Sequence, residues 1–182
     1  MSIEPELRDE LLAAVPSLRA FAISLCGKVD RADDLVQDTL MRALANIHRF
    51  QRGTNLNAWL FTILRNLFHS EFRKRKREVE DPDGNYAANL VSRPEQGAHL
   101  DFEDFRAALA QLPDDQREAL LLVGASGFSY EEAAEICECA VGTIKSRVNR
   151  ARTRLAEMLD LNDDSALGPD QMTRAALQQA AS

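Results

Sequence analysis

Cysteine is scarce in this chain: Cys26, Cys137 and Cys139 are the only three in 182 residues. An odd, sparse set of this kind fits reduced thiols and argues against a disulfide framework. Cys137 and Cys139 form a C-x-C pair with no neighbouring histidine and no second cysteine pair, so they read as small packing residues and not as a zinc site. The three histidines, His48, His69 and His99, are too scattered to suggest metal ligation. No apolar run approaches the roughly 20 residues that span a bilayer. No signal peptide precedes the acidic start MSIEPELRDE, so the expected location is the cytoplasm. Gly-rich phosphate loops, a nucleophile elbow and a metal-ligand helix are all missing. Alternating strand patterns are missing too. The expectation is an all-α protein with no catalytic centre, no cofactor and no metal.

What is present is concentrated near the C-terminal end, in Ser129 to Leu155, SYEEAAEICECAVGTIKSRVNRARTRL. Ser129 with Glu132 three residues on is a capping-box signature. Tyr130, Ala133, Ala134 and Ile136 then make an apolar strip two turns long. The pattern breaks around Cys137 to Ala140 and restarts at Val141, from which Val141, Ile144, Val148, Ala151 and Leu155 form a helical stripe. The opposite face carries Gly142, Thr143, Lys145, Ser146, Arg147, Asn149, Arg150, Arg152 and Arg154. A short helix, a tight turn and a longer basic helix are the pattern of a DNA-binding helix-turn-helix. Most charged helix faces are merely solvated. This one holds five basic residues and no acid between Lys145 and Arg154, in a chain of net charge −7. Contact with phosphates and base edges is the better account.

A second basic concentration lies at residues 65–77, RNLFHSEFRKRKR, where six cations face the lone acid Glu71. Each of the two segments carries +5, which leaves −17 for the remainder. Such a molecule is oriented by a nucleic acid more than it is attracted to it. The acidic remainder also points to a partner for productive binding.

Helical periodicity covers most of the chain. Glu6 to Cys26 has apolar positions Leu7, Leu11, Leu12, Val15, Leu18, Phe21, Ala22 and Leu25, with Pro16 expected to kink or divide the helix. Asp30 to Phe50 follows, with Leu35, Val36, Leu40, Ala43, Leu44 and Ile47 expected inside. Leu56 to about Arg77 places Trp59 as a core anchor, with Phe61, Phe68 and Phe72 either alongside it or offered to unstacked bases. Residues 79–100 lose the period and hold Pro82, Gly84, Pro94 and Gly97, as a linker does. Helices are expected again over Phe102 to Leu112 and Asp114 to Val123, divided by Pro113. Residues 162–182 form a tail that reads as a disordered end, with Pro169 as the one candidate start of a short helix. Two all-helical modules, 10–78 and 101–160, result. Within the first, Asp34, Gln37 and Asp38 line an exposed strip beside Leu35, Val36, Thr39 and Leu40. That arrangement suits docking to another protein's helices, but taken alone an ordinary helix start, with Asp33 and Asp34 complementing the helix dipole, is the better account.

Taken in order, DLVQDTL, AWLFTILRNL, a linker, LPDDQREALLL and SYEEAAEICECAVGTIKSRVNRAR resemble the extracytoplasmic-function (ECF) sigma factors of the sigma-70 family. GTNLNAWLFTILRNLF with GASGFSYEEAAEIC is most similar to the EcfG type, which serves the general stress response. The resemblance covers residues 10–160. It implies a sigma-2 helical bundle and a sigma-4 helix-turn-helix joined by a flexible linker, with a tail over 161–182. It implies that Asp34, Leu35, Gln37 and Asp38 dock the clamp coiled coil of core RNA polymerase. On the next helix Asn66, His69, Arg73, Lys74 and Arg75 would meet the −10 element, Asn66 at the position that helps capture an extruded base. Lys145, Ser146, Asn149 and Arg150 would read the −35 element, of a GGAA type, and Tyr130, Glu131, Thr143, Arg147, Arg152 and Arg154 would set position along it. The implied partners are core polymerase, promoter DNA and an anti-sigma factor of the NepR type, itself removed by a PhyR-type regulator bearing a sigma-like decoy domain. Two alternatives stay open: a decoy that only sequesters an anti-sigma factor, and a stand-alone helix-turn-helix regulator.

Overall fold

Helix boundaries follow the punctuation of the sequence closely in this computed structural model, which describes residues 4–79 and 102–159. The described residues form seven α-helices and one 3-10 turn, with no strand among them. The chain divides into two compact units, residues 1–92 and 93–182. The linker expected over 79–100, apart from Val79, and the tail with its candidate helix start at Pro169 lie outside the described residues. Among the described residues no helix is long and apolar enough to cross a membrane.

The first unit is built from α1 (Pro5–Cys26), α2 (Val29–Ala45), a 3-10 turn (Ile47–Arg49) and α3 (Leu56–Val79). Proline in its first turn suits the start of α1, and Gly27 at φ 68° closes it, its N–H donating to Ile23 O at 2.8 Å. Of the two outcomes expected at Pro16, a kink or a division, the helix is not divided. Pro16 is exposed, and the carbonyl it leaves unpaired belongs to Leu12, a residue 58% exposed, so water can satisfy it. Buried residues lie on both sides of Pro16, Leu11 and Ala14 before and Leu18, Phe21, Ala22 and Leu25 after.

Helix α2 buries Ala32, Leu35, Val36, Thr39 and Ala43, a stripe at spacings of three and four. The Thr39 hydroxyl, fully buried, donates to Leu35 O at 2.7 Å and so costs little inside the core. The helix stops at Ala45, short of the expected Phe50, and Leu44 is 42% exposed because it stands about 100° around the axis from Ala43. Leu40 and Ile47 are half-buried. Helix α3 supplies Leu56, Leu60, Phe61, Leu64 and Phe68 to the core, with Phe61 against Phe21 at 5.0 Å between ring centroids. Burial of each such side chain is worth about 1.5–3 kcal/mol. Trp59 is only half-buried, packed on Phe50 at 5.3 Å, and Phe72 is 50% exposed, so neither serves as a fully buried anchor. Phe72 stacks on Phe68, with 6.4 Å between ring centroids.

The second unit comprises α4 (Phe102–Ala110), α5 (Asp114–Gly124), α6 (Tyr130–Cys137) and α7 (Val141–Met158). Pro113 ends one helix and caps the next. Arg117 lies across this joint, donating to Ala110 O at 3.2 Å and to Asp114 at 2.6 Å. Helices α5 and α6 pack on the inward stripe of α7, where Ile144, Val148, Ala151 and Leu155 are buried; Val141 is half-buried.

Candidate nucleic-acid interface

The helix-turn-helix is fixed by backbone chemistry at both ends of α6. Ser129 Oγ accepts from Glu132 N–H at 3.1 Å, and Ser129 N–H donates to Glu132 Oε2 at 2.9 Å, completing the expected capping box. At the other end Glu138 takes up a left-handed conformation, φ 53° and ψ 46°, the one positive-φ residue other than glycine among the described residues. This reversal lets the Cys139 N–H return to Ala134 O at 3.0 Å and turns the chain directly into α7. Cys137 is buried at the corner and Cys139 is half-buried, neither in a disulfide.

With its stripe packed inward, α7 turns Lys145, Asn149, Arg150 and Arg154 outward, all exposed. Thr143, Ser146 and Arg152 are half-buried, and the Ser146 hydroxyl donates to Thr143 O at 2.9 Å. The Lys145 ammonium lies 5.8 Å from the centroid of the Tyr130 ring, a cation–π contact that ties the first helix to the second. Glu131 is exposed beside it. Arg147 stands apart from the other cations. Its Nε is 3.2 Å from Asp115 on α5, its Nη1 donates to Cys139 Sγ at 4.0 Å, and its side chain is only 23% exposed.

In the first unit Asp34, Gln37 and Asp38 are exposed on α2, whereas Leu35 is 1% exposed and belongs to the core. On α3, Asn66 and Arg73 face solvent and His69 is half-buried, edge-on to Phe68 at 5.4 Å. Lys74 and Arg75 are exposed but line one charged cleft together with Glu71, Arg31, Asp34, Gln37 and Asp38. The residues expected to dock polymerase and two of those expected to hold DNA therefore meet across α2 and α3. Cys26 lies near this cleft. Burial pushes its thiol above the ordinary range, while Arg31 and Arg75 pull it down and Glu71 pushes it further up. Arg31 and Asp115 were not singled out by the sequence, and Glu71 only as the lone acid of its basic segment. Each acts on a group on another helix, and no local spacing signals such a pairing.

One unit is a helical bundle with an exposed mixed-charge cleft and the other a capped helix-turn-helix with an outward cationic face, the makings of a two-module DNA-binding protein. Residues 12–78 match the family described as Sigma-70 region 2, and residues 102–155 match Sigma-70, region 4. The chain belongs to the sigma-70 family, in its extracytoplasmic-function branch. It is 68% identical over 177 residues to the ECF RNA polymerase sigma factor EcfG of Rhodopseudomonas palustris (strain TIE-1), across 97% of this chain and 98% of that one, which bears out the EcfG-type resemblance. Against the ECF RNA polymerase sigma factor SigC of Mycobacterium tuberculosis (strain CDC 1551 / Oshkosh) the identity is 36% over 147 residues, 80% of this chain and 78% of SigC. Among solved structures, the sigma factor RpoE of Bartonella quintana, crystallised with the anti-sigma factor NepR, superposes with a TM-score of 0.77 at 58% identity. It covers 87% of this chain and 99% of RpoE.

Proposed function

We propose that this chain is the promoter-specificity subunit of RNA polymerase for general stress genes, held in check by a NepR-type anti-sigma factor. Residues 10–78 act as sigma-2 and residues 101–160 as sigma-4; 79–100 link them and 161–182 form a tail. Asp34, Gln37 and Asp38 present the polar edge that docks the clamp coiled coil, with Leu35 supporting them from within the core. Asn66, His69 and Arg73 face the −10 element, where capture of an extruded base offsets the few kcal/mol of unstacking. Lys74 and Arg75 hold phosphates at the cleft margin. On α7, Lys145, Ser146, Asn149 and Arg150 read base edges of the −35 element. Each well-made bidentate contact is worth about 1–3 kcal/mol of discrimination. The chain performs no chemistry of its own and works in the cytoplasm.

The observation that carries this reading is the outward face of α7, with Lys145, Asn149 and Arg150 exposed and no acid between Lys145 and Arg154. A decoy for an anti-sigma factor has no use for such a face. Anti-sigma control is supported by the 58% identical RpoE, which was crystallised with NepR. The test is run-off transcription with purified core polymerase on linear promoters bearing a GGAA-type upstream element. Transcripts are expected only when the protein is added, and are expected to collapse with Arg150→Ala or Asn66→Ala. Polymerase binding without any start on a promoter library would favour the decoy. Absence of polymerase binding would leave a stand-alone regulator.

A further inference from the structure

Arg147 sits within the cationic run of α7, and the family resemblance assigns it to the DNA backbone. Its surroundings differ from those of its neighbours. Lys145, Asn149, Arg150 and Arg154 are exposed, while the Arg147 side chain is 23% exposed. Its Nε forms an ion pair with Asp115 Oδ2 at 3.2 Å, and its Nη1 donates to Cys139 Sγ at 4.0 Å. Asp115 stands in the first turn of α5, and Cys139 stands in the turn that joins α6 to α7. One guanidinium thus ties three parts of the unit: the helix α7 packs on, the turn that aims it, and α7 itself. A rigid planar fork with several donors suits such a junction better than a flexible ammonium does.

We infer that Arg147 is a positioning residue, which sets the angle of the recognition helix through Asp115 and Cys139 and neutralises no phosphate. The inference rests on the promoter-reading role of α7 proposed above. A carboxylate at 3.2 Å already supplies the counter-charge that a phosphate would offer, so removing Asp115 and removing Arg147 have the same consequence: the helix loses its brace, and the base-reading residues lose their register. Were Arg147 a phosphate contact, the two changes would act oppositely, because loss of Asp115 would release a cation to the DNA.

Salt dependence separates these cases, since each phosphate contact contributes about 0.9 to the slope of log K against log salt. The measurement is promoter binding by polymerase reconstituted with the full-length protein, across a salt series, for Arg147→Gln, Asp115→Asn, the double variant and Arg154→Gln. Arg147→Gln and Asp115→Asn are each expected to weaken binding by about tenfold with no change in slope, and the double variant to be no worse than either. Arg154→Gln is expected to lower the slope by about 0.9. A charge swap, Asp115→Arg with Arg147→Asp, is expected to recover binding that Arg147→Asp alone abolishes, which guards against a variant that merely fails to fold. A slope lowered by about 0.9 in Arg147→Gln, or tighter binding in Asp115→Asn, would overturn the inference. If wild-type binding ignores the upstream element and Arg154→Gln leaves the slope unchanged, the promoter-reading role itself fails and the inference falls with it.

Discussion

Individual side chains in this molecule behave according to what covers them more than according to their type. Cys26 closes α1 half-buried, and burial holds its thiol in the neutral form, with Glu71 reinforcing that effect and Arg31 and Arg75 opposing it. A thiol whose pKa is higher folded than unfolded contributes stability that is fully present below the ordinary thiol pKa and fades as pH rises through the folded value. Alkylation of native Cys26 at mildly alkaline pH is therefore expected to be slower than that of a free cysteine thiol, and to reach the free rate in denaturant; peptide mapping by mass spectrometry reads it directly. Equal rates in both states would show that burial does not protect the sulfur. Leu35 follows the same logic. The family resemblance implies a docking role for it, but at 1% exposure it packs in the core and supports α2 beneath Asp34 and Asp38.

Among elements, α6 is the shortest helix of the described set, with eight residues, and depends most on its ends. Ser129→Ala removes the acceptor 3.1 Å from Glu132 N–H and is expected to lower the stability of the second unit by about 1 kcal/mol in denaturant titration. No measurable loss would mean that packing alone fixes the start of the helix. This capping box was legible as Ser129 and Glu132 three residues apart, and the inward stripe of α7 was legible from Ile144 to Leu155, because both are rules of spacing along one segment. The stop at Pro113 was legible for the same reason. Less could be read where an outcome depends on a partner element. Pro16 continues α1 because the carbonyl it leaves unpaired belongs to the exposed Leu12, and whether an aromatic such as Phe72 is covered is decided by the helices packed on α3. The candidate site divides along the same line. The outward set Lys145, Asn149 and Arg150 follows from helical phase, whereas the pairing of Arg147 with Asp115 joins residues of different helices. The cleft that brings Asp38 close to Lys74 and Arg75 likewise arises only when α2 and α3 pack together.

For the molecule as a whole, each unit carries its own core, and each presents one basic helical segment at +5 in a chain whose remainder sums to −17. Seen as a colloid, the protein is a patchy particle, with a mean charge that repels and local patches that attract. At about 0.01 M ionic strength the screening length is about 30 Å, comparable to a small domain; at 0.15 M it is about 8 Å, little more than a side chain's reach. Light scattering is expected to show reversible association between copies in dilute buffer, basic patch against acidic surface, that salt dissolves. Uniform repulsion at every salt concentration would mean that the patches are neutralised within each molecule. Where association occurs, a nucleic acid and a second copy of the chain compete for the same patches. The affinity of free protein for DNA then falls as its own concentration rises, which makes crowding by itself a brake on stray binding.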